Sequence, residues 1–135
     1  MKFIAFAALL LALTAPTAAA ADDEIPKLKG TLTYARTGGI AGVNDNLRIK
    51  RDGRSLLNGR EFRLRKVERE AVAKLVAAAK LERIKVTSKP AVPDAFIHTM
   101  TYRKHTITFD DPSTPKKVKQ LRDLLGRLIA KYDET

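Results

Sequence analysis

The sequence contains no cysteine and no tryptophan, and its other aromatic residues are five phenylalanines and three tyrosines among 135 residues. The lack of cysteine excludes disulfide bonds, thiolate metal sites, a cysteine nucleophile and a lipidated N-terminal cysteine. The scarcity of aromatic residues argues against a stacking platform for single-stranded nucleic acid. An apolar core must therefore hold the fold together by itself.

Residues that carry common catalytic chemistry are also few. There are three serines, none in a nucleophile-elbow sequence, and two histidines, His98 and His105. Both histidines fall on the apolar face of a predicted hairpin, about 13 Å apart at roughly 3.4 Å per residue, too far to share one metal ion. We expect each to be hydrogen-bonded in or beside the core. The sequence thus predicts a non-enzymatic protein with no cofactor and no metal site.

The N-terminal segment predicts a secretory signal peptide. A positive start is followed by an uncharged apolar run from Phe3 to Leu13 and by small residues up to Ala21, which fit an A-x-A cleavage site. The apolar run is too short to span a bilayer stably. We therefore expect a signal peptide over residues 1–21 and one domain over 22–135, in the periplasm or secreted, with no stable membrane anchor.

Hydrophobic periodicity predicts an α+β domain with the element order ββββ-α-ββ-α. Alternating residues indicate six strands, over 27–36, around 47–49, over 54–57, around 62–64, over 96–102 and over 105–109. Helical spacing indicates one helix through Val72 and Ala79 and a second from about Thr114 to Tyr132. We expect an antiparallel sheet with both helices packed on one face.

Turn chemistry supports this order. Asp52-Gly53 and Asn58-Gly59 are strong hairpin signals, because both dipeptides accept the positive φ angles of tight turns. The last hairpin has Arg103-Lys104 at its turn, which is poor turn chemistry. The first four strands are therefore predicted to form a meander.

Basic residues exceed acidic ones, 26 to 15, for a net charge of +11. Removal of residues 1–21 takes away only Lys2 and leaves +10. Such a charge attracts polyanions such as lipopolysaccharide, anionic lipid or nucleic acid. It is equally typical of a solvated surface that resists aggregation. The candidate contacts for a polyanion lie on neighbouring strands and on the last helix: Arg48, Lys50, Arg63, Arg65, Lys116, Lys117 and Lys119.

A glycine cluster follows the first predicted strand, with three glycines within five residues at Gly38, Gly39 and Gly42. Glycine reaches positive φ without a steric penalty, so the cluster predicts a loop that most residues could not follow. One interpretation is a binding loop. The other is that the glycines only let two strands turn and pack closely.

The loop and two later segments resemble the emfourin family of protealysin inhibitors. The family pattern R-[ST]-G-G-[FI]-A-G matches Arg36–Gly42, its D-x-F segment matches Asp94–Phe96, and its H-T-[VI]-T strand matches His105–Thr108. The match covers most of the predicted mature chain in the right order. The resemblance implies a small α+β protein that inhibits a thermolysin-like zinc metallopeptidase.

The resemblance also implies which residues contact that peptidase. A thermolysin-like cleft accepts an extended segment and has an apolar S1′ pocket beside the zinc, which Ile40 or Val43 suits. The expected partner-binding loop consists of Gly38, Gly39, Ile40, Ala41, Gly42 and Val43. Because the loop has no zinc-binding side chain, occlusion of the cleft is expected and not chelation.

Overall fold

The computed structural model of the protein describes residues 27–85, 96–110 and 114–133. The predicted signal peptide lies outside these ranges, as do Asp94 and Ala95 of the D-x-F segment. The described residues form six strands and two α-helices: β1 (Leu32–Gly38), β2 (Val43–Ile49), β3 (Arg54–Leu57), β4 (Arg60–Arg63), α1 (Lys66–Ala79), β5 (Ile97–Tyr102), β6 (His105–Phe109) and α2 (Lys116–Asp133). A short 3-10 helix, Leu81–Arg83, follows α1. The predicted α+β class and the order ββββ-α-ββ-α are confirmed.

The six strands form one antiparallel sheet in the order β4-β3-β2-β1-β5-β6. The first four are a meander, as predicted, and β5 adds to the free side of β1. Strand β1 is therefore central, paired with β2 along its whole length and with β5 over residues 32–37. The residue that follows in β1, Gly38, pairs only with β2 and begins the glycine-rich segment.

The predicted hairpin turns occur where their sequences indicate. Asn58 and Gly59 take φ angles of 51° and 86°, and Gly53 takes 87°. Arg103 and Lys104 also adopt positive φ, 49° and 66°, although neither residue favours it. The two-residue connection between β5 and β6 requires this geometry, because only primed turns match the twist of the flanking strands.

Two strand boundaries differ from the prediction. The first strand starts at Leu32 and not at Lys27, because the backbone N–H of Lys29 donates to the hydroxyl of Tyr102 at 2.8 Å and not to a neighbouring strand. The fourth strand starts at Arg60, and Leu64 lies beyond its end with its N–H bonded to the carbonyl of Gly53. Leu28 and Leu64 are nevertheless buried, so their apolar character reports burial and not strand structure.

The core lies between the two helices and one face of the sheet. Burial alternates along β1, β2, β5 and β6, and the buried helix positions recur at helical spacing. The core includes Leu47, Ile49, Val72, Met100, Leu121 and Leu125, each fully buried. Burial of one such side chain stabilises the fold by about 1.5–3 kcal/mol, which explains how the protein folds without disulfides.

The other face of the sheet carries polar side chains. Thr99 and Thr101 of β5 pair with Thr108 and Thr106 of β6, and the hydroxyls of Thr101 and Thr106 are 3.0 Å apart. Threonine suits such a face, because its branched side chain favours strands and its hydroxyl can form a hydrogen bond with the threonine opposite it.

Glu68 joins the start of α1 to the end of α2. Its Oε1 accepts hydrogen bonds from the backbone N–H of Arg65 at 2.9 Å and from the hydroxyl of Tyr132, and its Oε2 accepts one from Lys131 at 2.9 Å. The ring of Tyr132 stacks on Phe62 of β4, with 4.2 Å between centroids. The two helices are therefore antiparallel and held together at this end.

We expect Glu68 to make stability depend on pH. Burial alone would raise the pKa of Glu68, but hydrogen bonds from Tyr132, Lys131 and the N–H of Arg65 outweigh it and hold the pKa below its ordinary value of 4.5. The stabilisation is present above that ordinary value and is lost as the pH falls through the lower folded pKa. Melting temperatures between pH 7 and pH 3 should fall more steeply for the wild type than for Glu68→Gln.

Glu61→Gln is the matched control for this measurement, since Glu61 is an exposed carboxylate on β4. It should follow the wild-type pH profile. Equal slopes for the wild type and Glu68→Gln would show that the hydrogen bonds of Glu68 do not favour its charged form.

Candidate functional site

The loop between β1 and β2 is the candidate functional site. Gly38 and Val43 form the last pair of the two strands, and residues 39–42 form the turn, closed by a 3.1 Å hydrogen bond from the N–H of Gly42 to the carbonyl of Gly39. Gly39 and Gly42 have φ angles of +75° and +63°, which explains why glycine stands at both positions. The six residues predicted for the loop thus form the end of one hairpin.

Ile40 lies at the exposed end of this hairpin. Its side chain is 94% exposed, and Ala41 beside it is exposed as well. Among the described residues only one other large apolar side chain, Val67 at 73%, is similarly exposed. The side chain of Ile40 is therefore accessible to a partner molecule.

Phe96 supports the loop from behind. A Cβ atom on Gly39 would lie 2.9 Å from Cζ of Phe96, so the ring fits directly against the backbone of the loop. The guanidinium carbon of Arg36 lies 5.7 Å from the centroid of the same ring. Arg36 Nη2 in turn donates to Asp45 Oδ2 at 2.7 Å. This contact chain from Gly39 through Phe96 and Arg36 to Asp45, here called the loop brace, restricts the loop on one side.

Asp45 is itself fixed by the turn between β3 and β4. Its Oδ1 accepts a hydrogen bond from Asn58 Nδ2 at 3.3 Å, and Asn58 Oδ1 accepts one from the N–H of Asn46 at 2.8 Å. The carboxylate is only 16% exposed. The loop brace is therefore anchored to β1, to β2 and to the turn between β3 and β4.

The sequence analysis did not find the loop brace. Arg36 and Asp45 are opposite each other in the register of β1 and β2, so a hairpin centred on the glycine cluster would have paired them. Phe96 could not have been placed, because its contact with Gly39 depends on the pairing of β5 with β1.

The structure divides the basic residues predicted to contact a polyanion. Arg48, Lys50 and Arg63 lie on the face of the sheet away from the helices, together with Arg54, which is paired with Arg63 across β3 and β4 and which the sequence analysis missed. Arg54 has the same strand alternation as its neighbours, and that pattern would have identified it. These four residues are called the sheet cluster below.

The remaining predicted basic residues lie elsewhere. Arg65 is exposed immediately before α1. Lys116, Lys117 and Lys119 are exposed in the first turn of α2, about 24 Å along the helix axis from Tyr132, which contacts β4. The lysines and the sheet cluster therefore do not form one continuous surface.

Both histidines have hydrogen-bonding partners inside the fold, as predicted. His98 is buried with Nδ1 at 2.8 Å from the hydroxyl of Tyr34, and His105 Nε2 lies 2.9 Å from the carbonyl of Ile84. Within residues 27–85, 96–110 and 114–133, no group of three or more His, Asp and Glu side chains is arranged to hold a metal ion. None of the helices in these ranges is both long and apolar enough to cross a membrane.

No family model, curated protein or solved structure matches the chain. The resemblance to the emfourin family therefore stays a prediction.

Proposed function

We propose that the protein is an exported, non-enzymatic inhibitor of a thermolysin-like zinc metallopeptidase, and that the loop over residues 38–43 blocks the active-site cleft. The observation that carries the proposal is Ile40, an isoleucine that is 94% exposed at the end of a hairpin. In the complex its side chain fills the apolar S1′ pocket. Complete burial of such a side chain contributes about 1.5–3 kcal/mol to binding.

The loop brace supports affinity by reducing the entropy cost of binding. The contact of Phe96 with Gly39 and the turn hydrogen bond between Gly42 and Gly39 hold the loop in one conformation before the peptidase arrives. A preorganised loop loses less conformational freedom on binding than a mobile one does. The contacts behind Gly39 thus contribute to inhibition without touching the peptidase.

The same geometry explains how the loop resists cleavage. Gly39 and Gly42 have positive φ angles on either side of Ile40, so the loop can present Ile40 to the cleft while its backbone is not extended through the position where cleavage would occur. Strands β1 and β2 hold both ends of the loop. Because residues 38–43 contain only glycine, alanine, isoleucine and valine, the loop has no zinc-binding side chain, and it inhibits by occlusion of the cleft.

Titration of a thermolysin-like peptidase with the wild-type protein tests this proposal. We expect activity to fall in proportion to added protein, and the protein to remain intact by mass spectrometry after incubation. Rapid cleavage of the protein between Gly39 and Gly42 would show that it is a substrate of the peptidase and would contradict the proposal.

A second candidate function is polyanion binding, favoured by the sheet cluster. Arg48, Lys50, Arg54 and Arg63 are exposed on one face, and Glu61 is the acidic residue in the shallow depression beside them. Asp52 pairs with Arg54 at 3.4 Å, which leaves three of the four basic groups without an ion pair in the described part of the chain. Lipopolysaccharide, anionic lipid and nucleic acid all present the negative charge that this surface attracts.

For this candidate we expect the double variant Arg48→Gln/Arg63→Gln to bind a short DNA duplex more weakly. Affinity decreases with salt, and each phosphate contact contributes about 0.9 to the steepness of log affinity against log salt. The loss of two contacts should therefore make this dependence shallower by about two. Fluorescence anisotropy at several salt concentrations measures it. Lys116→Gln/Lys117→Gln removes the same charge from α2 and should leave the slope unchanged. Equal losses for the two variants would indicate dispersed surface charge and no binding surface.

A further inference from the structure

Within the described ranges, the face of the sheet away from the two helices is divided into a charged half and an uncharged half. The sheet cluster lies on β2, β3 and β4. The other half, called the threonine face below, is formed by the outward side chains of β1, β5 and β6: Thr33, Ala35, Thr37, Ile97, Thr99, Thr101, Thr106 and Thr108. None of these eight residues is charged, although 30% of the residues of the chain are.

The pairing of the strands arranges the threonine face in three rows. Thr37 and Ile97 form the row nearest to the glycine-rich loop, and each of the other two rows has one residue from each strand. Neighbouring strands are about 4.8 Å apart and outward residues repeat about every 6.8 Å, so the rows cover a flat area of about 10 by 14 Å between Cα atoms. All eight side chains are partly or fully exposed. The threonine face is therefore accessible to a partner.

The threonine face is continuous with the loop that carries Ile40. Thr37 directly precedes Gly38, and it is paired with Asn44 of β2 on one side and with Ile97 of β5 on the other. The first row thus lies at the base of the loop. A body that covers Ile40 and extends along the sheet meets this row next.

The loop by itself is too small for a stable protein complex. Specific interfaces bury about 800 Å² on each partner and involve about 20–30 residues a side. The loop over residues 38–43 supplies six residues, of which three are glycine and one is alanine. A tight complex formed through the loop therefore needs further contact surface beside it.

The two surfaces beside the loop differ in charge. On the helix side lie the ion pair of Arg36 with Asp45 and the exposed side chain of Arg127. Removal of such charges from water is costly, and the centres of protein interfaces are accordingly depleted of charged residues. The threonine face presents hydroxyl and methyl groups only, apart from Ala35 and Ile97, so its burial carries no such cost.

We propose that the threonine face is a second contact surface of the inhibitor, placed against the peptidase surface that borders the active-site cleft. This inference rests on the proposed function. Hydroxyl groups both donate and accept hydrogen bonds, so the threonine face fits a flat, polar and uncharged surface of a folded partner. The sheet cluster then lies at the periphery of the complex, where charge changes the rate of association more than the affinity.

Methyl cross-saturation NMR tests the contact directly. The wild-type protein, deuterated and labelled at its threonine methyl groups, is bound to an unlabelled thermolysin-like peptidase whose protons are irradiated. Saturation should reach the methyl groups of Thr99 and Thr108, and not that of Thr114, which precedes α2. Concentration-dependent shifts of Thr99 and Thr108 in the protein alone would assign the face to a second copy of this chain and overturn the proposal.

Arginine substitutions test whether the contact contributes to inhibition. Thr99→Arg and Thr108→Arg place a charge in the interface, and the cost of its desolvation should raise the inhibition constant about 10- to 100-fold. Thr108 lies on the outermost strand, so its variant remains informative if Thr99→Arg lowers the melting temperature. Ala78→Arg adds the same charge at an exposed position of α1 and should inhibit like the wild type.

The outcomes separate this inference from the proposed function. If Ile40→Asp abolishes inhibition while both threonine variants inhibit like the wild type, the loop acts without the threonine face and the inference is wrong. Equal losses in Ala78→Arg would likewise overturn it, because added charge alone would then explain the effect. Absence of inhibition by the wild type would contradict the proposed function, and this inference with it.

Discussion

Ile40→Asp should abolish inhibition of a thermolysin-like peptidase and leave the melting temperature nearly unchanged. The side chain is 94% exposed, so its replacement removes no contact from the folded protein. In the complex the variant loses about 1.5–3 kcal/mol of apolar burial and must also desolvate a carboxylate in an apolar pocket, at a cost of several kcal/mol. Since about 1.4 kcal/mol corresponds to tenfold, the inhibition constant should rise by more than about a hundredfold.

Two variants make this result specific to Ile40. Val67→Asp introduces the same charge at the other highly exposed apolar residue, in α1, and should inhibit like the wild type. Ile40→Leu preserves apolar volume and should retain most of the inhibition. Equal inhibition by the wild type and Ile40→Asp would remove the loop from the mechanism.

Gly39→Val should lower both stability and inhibition. Valine must adopt the φ of +75°, where branched residues are strained, and its Cβ would lie 2.9 Å from Cζ of Phe96. Backbone strain of this kind costs about 1–3 kcal/mol, and movement of Phe96 disturbs the loop brace in addition. We expect thermal unfolding to show a loss of several degrees, and the inhibition constant to rise because the loop is no longer preorganised.

Gly42→Val separates backbone strain from the contact with Phe96. Gly42 has a similar φ of +63°, but among the described residues no atom lies within 4 Å of a Cβ added there. This variant should therefore destabilise the protein less than Gly39→Val does. Combination of Gly39→Val with Phe96→Ala should cost less than the sum of the two single changes. Equal melting temperatures for the two valine variants would contradict the contact between Gly39 and Phe96.

Most of the fold could be predicted from local patterns in the sequence. The alternation of Leu47 and Ile49 with polar neighbours, and the spacing of Leu121 and Leu125, follow directly from the periods of strands and helices. Asn58-Gly59 fixed one turn for the same local reason. The start of β1 was misplaced because Leu28 is buried without being part of a strand, and a periodic pattern does not distinguish these two situations.

Residues that act through long-range contacts were beyond such prediction. Phe96 supports Gly39 across 57 positions of sequence, and Phe62 stacks on Tyr132 across 70. These contacts depend on β5 joining β1 and on the path of α2, and neither is encoded in a local period. The exposure of Ile40, by contrast, follows from its place between glycines in a hairpin turn. The sequence left Ile40 and Val43 as alternatives, and of these two the exposed residue is Ile40, since Val43 belongs to β2.

The basic residues show a related difference. The alternation of polar and apolar residues along the strands correctly placed Arg48 and Arg63 on the face of the sheet away from the helices. The sequence did not show that Lys116 lies on a separate surface. Distances between surface groups follow from packing of the elements, which the charge pattern does not specify. The two clusters are therefore separate targets for substitution.

The most direct test of the proposed function is competition between the wild-type protein and a small active-site inhibitor for a thermolysin-like peptidase. If the loop occupies the cleft beside the zinc, increasing concentrations of the small inhibitor should displace the protein, and the two should never bind together. We expect one protein molecule to silence one peptidase molecule and binding to be mutually exclusive. Full activity of several such peptidases in the presence of excess protein, or simultaneous binding of both inhibitors, would contradict the account.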